Sequence, residues 1–488
     1  MSTRAWSRPA SVFAVGLLAV LLGTTSVIGA DFLWLVALGD DILAHGRVPD
    51  RVPFAHAASQ DWPNVLVGAE VLLAFLWRAG PTAPLVLGVV VAVGSWAALA
   101  AMAARRGAAD VATALVVFVV VASSAPAWGV VRLQVLSILP FLGVLWLLDR
   151  ESDRPSGRLW AVPVVLAGWG NLHGAVLVGL CVTGVYLMVS RMRSTPLLAV
   201  GVGAASVAAL VANPAGLRTV TYYAGVLRNE AAATGTQLWA GLDLGRPADR
   251  LVVAALAALL MAAARQLRTW EWVAVAGLSV GAVLTARHAF WLALLLAAPA
   301  AAGLTAGWTR TAAWMGERRA SLRDRAVGQA AAGRAEIPTG GPAPLVVAAG
   351  RVGTFAGVLL CVLGLVAAGT RLHPVAQVDL ADAVTLRSVA GSRVVLAPSP
   401  LAEVLAVNGV RVWLADPLDA FARHDQRAYL AFLAESDEWV SAIRADLVIL
   451  SSTSPMAARM VSWGFRPVTG AGVPSAWRIS LRPQPVSC

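Results

Sequence analysis

The chain has 488 residues, of which 58% are hydrophobic and only 13% are charged. Soluble domains carry about 25% charged residues. A globular core cannot bury such an apolar excess, so the composition predicts an integral membrane protein. The net charge is +11, but the arginines mostly flank apolar segments and form no basic domain interleaved with aromatic residues, which argues against nucleic-acid binding. The three cysteines show no CxxC or Cys/His ligand spacing, so neither a disulfide framework nor a zinc site is indicated.

About eleven apolar segments alternate with arginine-bearing loops, and each is a candidate transmembrane helix. The arginine-bearing loops and the N-terminal Arg4 and Arg8 are predicted to be cytoplasmic. Because the number of spans is odd, the C-terminal part is predicted to be extracytoplasmic. The segments are about 11–30, 82–104, 108–125, 135–148, 160–170, 175–190, 196–212, 251–264, 271–286, 289–307 and 352–370.

Residues 1–370 are therefore predicted to form one polytopic domain with two notable loops. The first extracytoplasmic loop, 31–80, contains an amphipathic stretch at 65–80 that predicts a helix lying at the membrane interface. The loop at 308–347 holds the largest basic cluster, including Arg334, and is predicted to be cytoplasmic. The absence of lysine beside abundant alanine and arginine suggests a GC-rich bacterial genome, and hence the bacterial plasma membrane.

The remaining residues, 371–488, alternate short β-branched runs with short helical patterns. Strands are predicted at 393–397, 410–415 and 446–450, and helices at 401–407, 429–435 and 456–463. This alternation predicts a small parallel α/β sandwich. The segment contains neither GxGxxG nor a P-loop, so no nucleotide site is indicated.

Asp31 is the sharpest functional candidate, because it stands where the first span leaves the membrane. The apolar residues Phe32, Leu35, Leu38 and Ile42 follow at helical spacing, so this segment is predicted to lie at the interface and hold Asp31 over the bundle. A carboxylate placed there can deprotonate an acceptor hydroxyl. The alternative is that Asp31 only caps the interfacial helix.

Other polar residues also cluster at the predicted outer ends of spans. Ionisable groups near a bilayer are costly and are functional candidates by default, although many such residues only mark the ends of spans. Arg132 and Arg287 either bind an anion or extend to lipid headgroups, and His173 either binds a ligand or is a buried, satisfied histidine.

Several short motifs resemble the GT-C superfamily of integral-membrane glycosyltransferases, in particular a bacterial family within it. The first loop contributes Asp31-x-x-Trp34 with Gly39, Ile42, Gly46 and Pro49, followed by Pro53-Phe54, Trp62 and Glu70. Trp169-Gly170-Asn171-Leu172-His173-Gly174, Asn213-Pro214-x-Gly216 and Arg287-His288 resemble further segments of the same family. The resemblance extends over nearly the whole chain, including the α/β tail.

The resemblance implies transfer of a sugar from a polyprenyl-phosphate donor to an extracytoplasmic glycan, lipid or protein, with Asp31 as the general base. Asp40 and Asp41 are alternative carboxylates for that role, and they are also candidate ligands for a divalent cation such as Mg or Mn. The substrate- and phosphate-binding candidates are Arg132, His173, Asn171, Asn213, Arg287, His288 and Glu70.

Two other functional classes remain open from the sequence. A transporter would also be polytopic, although internal repeats and charges at the membrane midplane are typical of that class. The other class is a non-catalytic membrane scaffold whose extracytoplasmic domain directs assembly.

Overall fold

The computed structural model describes residues 8–59, 61–226, 230, 239–327, 344–468 and 473–482. Arg4, Arg334 and a central part of the predicted cytoplasmic loop lie outside the described residues.

The described part of the chain is mainly helical. In chain order the helices are α1 (Pro9–Thr25), α2 (Ala30–His45), α3 (Val67–Ala79), α4 (Ala83–Arg105), α5 (Asp110–Ser123), α6 (Ala125–Gly129), α7 (Val135–Asp153), α8 (Ala161–Gly170), α9 (Val176–Tyr186), α10 (Pro196–Ala209), α11 (Thr219–Val226), α12 (Pro247–Ala263), α13 (Thr269–Leu284), α14 (His288–Val327), α15 (Pro344–Gly369), α16 (Leu380–Ala390), α17 (Leu401–Val407), α18 (Arg423–Leu433), α19 (Trp439–Ala442) and α20 (Pro455–Arg459).

Three helices are long and apolar enough to cross a membrane, within the residues that the structure describes. They comprise Ala83–Arg105, His288–Arg319 and Gly350–Gly369. The first has 23 residues, which at about 1.5 Å per residue exceeds the roughly 30 Å of a hydrocarbon core. Shorter apolar helices accompany them, including α1 and α5. The chain is thus a membrane protein, and the number of eleven spans stays a prediction.

Contacts divide the chain into two units, and the first comprises Met1–Thr24, Ala92–Ala125 and Leu242–Ala367. Within it, glycines of α1 lie directly against glycines of α15: a Cβ atom added at Gly23 would overlap the backbone of Gly364. Such small residues let two helices approach closely, as is common in membrane proteins. A buried ion pair between Arg106 and Glu271 connects α13 to the end of α4.

The second unit comprises Thr25–Val91, Pro126–Gly241 and Ala368–Cys488. The first predicted loop and the C-terminal part therefore belong to the same unit. In this unit β1 (Val27–Ile28) pairs in parallel with β2 (Val130–Val131), and Ile28 also bridges to Val375. The predicted break after α8 is confirmed, because the next helix begins at Val176.

The C-terminal part contains a four-stranded sheet with the order β3-β4-β6-β5. Its strands are β3 (Val395–Leu396), β4 (Leu447–Ser451), β5 (Arg466–Pro467) and β6 (Trp477–Leu481). Only β3 and β4 are parallel, whereas β6 is antiparallel to both β4 and β5. The prediction of a parallel sandwich was wrong. Only nine residues separate β5 from β6, and a crossover between parallel strands needs about a dozen or more.

The predicted strand at 410–415 is also wrong. Val412 instead forms isolated bridges to Ala55 of the first loop and to Val395 at the start of β3. Leu401–Val407 is helical as predicted, and the predicted helix at 456–463 is a shorter one at Pro455–Arg459. The tail is therefore a small mixed α/β sheet structure, tied to the first loop by backbone hydrogen bonds.

Candidate functional site

Asp31 lies in the first turn of α2, at the point where β1 ends. Gly29, just before the helix, has extended backbone angles, and its N–H donates to Val131 O at 2.9 Å, so the strand pairing sets where the helix begins. The predicted apolar stripe is buried at Phe32 and Leu35, among other positions. A negative side chain is favourable in the first turn, because the helix dipole is positive there.

Arg132 follows β2 and is brought to Asp31 by the β1–β2 pairing. Its Nε lies 3.7 Å from Asp31 Oδ1, and the two side chains are 33% and 30% exposed. Burial raises the pKa of Asp31 above its ordinary value, and the charge of Arg132 opposes that rise. The pairing needs a residue without a side chain at Gly29, where a Cβ would lie 2.8 Å from Arg132 Cγ and 2.9 Å from Asp31 Oδ1.

Three further carboxylates come from the C-terminal part, those of Glu403, Asp416 and Asp419. Glu403 in α17 is fully buried, and its Oε1 accepts a bond of 3.5 Å from Asp416 N. Burial, followed by the negative charges of Glu403 and Asp31, raises the pKa of Asp416 well above its ordinary value, while Arg132 opposes the rise. Because these charges act on one another, the C-terminal part contributes to the surroundings of Asp31.

Two backbone hydrogen bonds and one side-chain hydrogen bond connect the C-terminal part to the first loop. Val412 N donates to Phe54 O at 3.0 Å, and His56 N donates to Val412 O at 2.8 Å. Trp62 Nε1 donates to Asp419 Oδ2 at 3.2 Å. α17 also packs on α2, the helix that carries Asp31.

Glu70 is the most deeply buried acidic residue of the first loop, at 0% exposure. Its Oε2 accepts a 2.8 Å hydrogen bond from Asn64 Nδ2. Neither Glu70 Oε1 nor Asn64 Oδ1 has a hydrogen-bond partner among the described residues. Burial raises the pKa of Glu70 to about 8, so this carboxyl holds a proton at neutral pH.

Glu70 makes the stability of the protein depend on pH. Its pKa rises from the ordinary value of 4.5 to about 8 on folding, so the folded chain keeps a proton that the unfolded chain releases between these values. The free energy of unfolding is therefore highest below about pH 4.5, as far as Glu70 determines it, and decreases as pH rises to about 8. Glu70→Gln is expected to remove this dependence and to stabilise the protein above pH 8 by on the order of 5 kcal/mol.

Thermal unfolding of the purified protein between pH 5 and pH 9 tests this expectation, with Glu438→Gln at an exposed position as the matched control. An identical pH slope in wild type and Glu70→Gln would show that Glu70 does not titrate in this range.

The predicted ligand residues His173, Asn171 and Asn213 make contacts within the same unit. His173 Nδ1 lies 2.6 Å from Ser137 Oγ, which also accepts a 2.7 Å bond from Trp169 Nε1. The Asn171 amide donates to Ala167 O and to Ala212 O, and Asn213 donates to Leu210 O. These contacts fix the ends of α8 and α10, and a ligand-binding role for the three residues stays a prediction.

Arg287 and His288 lie in the other unit, where Arg287 is in the connection between α13 and α14 and His288 is the first residue of α14. His288 Nδ1 lies 3.3 Å from Thr285 O. Burial lowers the pKa of Arg287 to about 10, so the guanidinium remains charged near neutral pH. The donor-phosphate role assigned to this pair stays a prediction.

Asp40 and Asp41 each lie beside a basic side chain of the protein itself. Arg78 Nε donates to Asp40 Oδ1 at 2.8 Å, and His45 Nδ1 lies 3.2 Å from Asp41 Oδ1. Across the described ranges, no group of three or more His, Cys, Asp or Glu side chains is placed to hold a metal ion. A divalent-cation site at Asp40 and Asp41 stays a prediction.

Sequence reasoning did not single out Glu403, Asp416 or Asp419 as site residues. Two signals were present: Glu403 is the only charged residue of the apolar helix Leu401–Val407, and both aspartates follow the β-branched run at 410–415. Their relation to Asp31 depends on tertiary pairing, which no local pattern reveals.

Comparison with known proteins adds structural relatives. No family model matches the sequence, and no curated protein matches it. The structure is similar to oligosaccharyltransferase AglB from Archaeoglobus fulgidus, solved with an inhibitory peptide and a dolichol-phosphate, with a TM-score of 0.52 and 12% identity over 92% of this chain and 70% of that chain. It also matches ArnT from Cupriavidus metallidurans in the apo state, with a TM-score of 0.47 and 13% identity over 96% and 97% of the two chains.

The chain has a GT-C fold. The fold implied by the resemblance of Asp31-x-x-Trp34 and the later motifs is thereby confirmed. At 12% identity the AglB likeness concerns the fold, so the reaction must be argued from the site.

Proposed function

We propose that this GT-C protein transfers a sugar from a polyprenyl-phosphate donor to a hydroxyl-bearing acceptor on the extracytoplasmic face, with Asp31 as the general base. The observation that carries the proposal is the position of Asp31, which is partly exposed at the start of α2 and has Arg132 Nε 3.7 Å away. A base and a fixed cation are thus next to each other, which suits an acceptor that loses a proton and a donor that gains negative charge.

The reaction needs one proton transfer and one substitution at carbon. The acceptor oxygen attacks the anomeric carbon of the sugar, and its proton passes to the Asp31 carboxylate. The bond between the anomeric carbon and the phosphate oxygen breaks, and its electron pair stays on the polyprenyl phosphate. Arginine stabilises the departing phosphate because its planar fork matches phosphate oxygens.

The environment of Asp31 also suits a base. A carboxylate accepts a proton more readily when its pKa is closer to the working pH, and burial raises the pKa of Asp31. The nearby Glu403 and Asp416 are acidic groups whose pKa values are themselves raised by burial. Additional support comes from the AglB structure, which contains a dolichol-phosphate.

The acceptor proposed for this site is a cell-envelope glycan, lipid or protein, and the membrane is the bacterial plasma membrane. The test is incubation of the purified protein with a panel of polyprenyl-phosphate sugars and candidate acceptors, followed by mass spectrometry. We expect sugar-bearing acceptor and sugar-free polyprenyl phosphate in equal amounts. Full recovery of every donor in the panel would contradict the proposal.

Arg287 is proposed to bind the donor phosphate. Arg287→Lys keeps the charge but loses the bidentate fork, whereas Arg287→Ala loses both. We expect donor binding to weaken in the order wild type, Lys, Ala, with a loss for Ala of about 1.5–3 kcal/mol from the missing charge-assisted bond. Titration of folded protein in nanodiscs with a polyprenyl-phosphate sugar measures this.

His288→Ala is the control variant for that titration. We expect it to weaken donor binding less than Arg287→Ala does, since a neutral imidazole adds no fixed charge near pH 7. Equal donor affinity in wild type and Arg287→Ala would move the phosphate role to Arg132.

The C-terminal part is proposed to be extracytoplasmic. In a cysteine-free background, Ser462→Cys places one thiol at an exposed position of this part, and Arg318→Cys places one at an exposed position of α14, within the predicted cytoplasmic loop at 308–347. We expect an impermeant maleimide to label only Ser462→Cys in intact cells. Labelling of Arg318→Cys alone would reverse the proposed orientation.

A further inference from the structure

A cavity of about 430 Å³ lies within the C-terminal part. The residues at its wall include 398–401, which follow β3, and 450–451, 453–454 and 456, which end and follow β4. Since β3 and β4 are parallel, their carboxyl ends open on the same edge of the sheet. Ligands of α/β sheets bind outside that edge, and the volume falls in the range of about 300–1,000 Å³ that is usual for small-molecule sites.

The polar lining of this cavity consists mainly of hydroxyl groups. They belong to Ser399, Ser451, Thr453 and Ser454, and the carboxylate of Glu435 lies among them. None of the described residues that line the cavity is cationic, so an anionic ligand would find one negative charge and no positive one. Hydroxyl groups both donate and accept hydrogen bonds, which complements a ligand that carries many hydroxyls.

These polar groups are held in place. Ser454 Oγ donates to Glu435 Oε1 at 2.7 Å, and the hydroxyls of Ser451 and Thr453 lie 2.9 Å apart. Glu435 has φ of 56° and Gln377, also in the lining, has φ of 61°. Non-glycine residues rarely adopt this left-handed conformation, and those that do cluster at ligand sites. Arg459 holds the Glu435 backbone, donating to its carbonyl oxygen at 2.6 Å.

We infer that this cavity binds a neutral saccharide. The hydroxyl-lined wall recognises the sugar hydroxyls, and the carboxylate of Glu435 accepts a hydrogen bond from one of them. The inference goes beyond sugar transfer at Asp31, because it assigns a separate binding site to the C-terminal part and needs no turnover.

Saturation-transfer NMR on the full chain in nanodiscs tests the site, with neutral tetrasaccharides of glucose, mannose and galactose as probes at millimolar concentration. Glucose 6-phosphate and glucosamine are the anionic and cationic comparators. Thr453→Val removes one lining hydroxyl at nearly constant shape, and Thr385→Val is the matched control in α16. We expect wild type and Thr385→Val to bind at least one tetrasaccharide equally, and Thr453→Val to bind it about threefold to tenfold more weakly.

Leu433→Trp, which fills the cavity, is expected to abolish binding, while Asp31→Asn is expected to leave it unchanged. Thermal unfolding shows whether each variant is folded. Three results would each overturn the inference: no signal from any tetrasaccharide, signal from glucose 6-phosphate or glucosamine alone, or unchanged saccharide binding in folded Leu433→Trp. Loss of binding in Asp31→Asn would place the saccharide at the proposed transfer site instead.

Discussion

Replacing Asp31 with asparagine is expected to lower the rate of sugar transfer by about 100- to 10,000-fold, which is the usual effect of losing a general base. The amide has nearly the same size as the carboxylate and can still accept a hydrogen bond, so the first turn of α2 should survive. The neighbouring Arg132 keeps its charge in this variant. Product formation measured by mass spectrometry, together with the unfolding temperature, separates loss of chemistry from loss of fold.

Asp40→Asn is the matched control for this experiment, because Asp40 lies in the same helix and pairs with Arg78 on the protein surface. We expect it to retain most of the wild-type rate. Since burial raises the pKa of Asp31, the wild-type rate should also fall as pH falls through that raised value, when the base becomes protonated. Full turnover in Asp31→Asn together with loss in Asp41→Asn would transfer the role of base to Asp41.

Adding one methyl group at Gly39 is expected to destabilise the second unit strongly. A Cβ at this position of α2 would overlap the backbone carbonyl oxygen of Glu70 and would lie 2.9 Å from Ala74 Cβ. Because the obstacle is backbone, relief requires α2 and α3 to move apart. Overpacking of this kind costs about 1–3 kcal/mol or more, and we place Gly39→Ala at the upper end.

Gly143→Ala is the control, because no atom lies within 4 Å of a Cβ at that position in α7. In a helix interior this change is expected to be neutral or to stabilise by up to about 1 kcal/mol. Thermal unfolding of both variants in the same detergent gives the comparison. Equal unfolding temperatures would show that α2 and α3 are not packed as closely as the structure indicates.

The position of Asp31 at the start of a helix could be predicted from the sequence, because the signals for it are local. An apolar segment ends there, and the following stripe at helical spacing defines a helix that the structure places at Ala30–His45. Glu70 was also found within a predicted helix, but its burial could not be foreseen, since an amphipathic pattern does not say that its partner is Asn64. The raised pKa follows from that burial.

The acidic residues of the tail could not be placed from the sequence. The pairing of Val412 with the first loop helps to bring Glu403 and Asp416 to the surroundings of Asp31, and it joins residues more than 350 positions apart. The β-branched run around Val412 predicted a strand of the tail's own sheet, whereas its hydrogen bonds are shared between Val395 and Phe54. The β-branched composition of a segment predicts that its backbone is extended, but it does not predict which other segment it pairs with.

The central claim is that this chain breaks the bond between a sugar and a lipid phosphate. The most direct test uses proteoliposomes that contain one isotopically labelled polyprenyl-phosphate hexose and a hydroxyl-bearing acceptor. Mass spectrometry of the lipids follows the bond itself. We expect sugar-free polyprenyl phosphate to accumulate with wild type and to remain at background with Asp31→Asn. Intact donor that moves to the opposite leaflet without cleavage would contradict the account and identify a transporter.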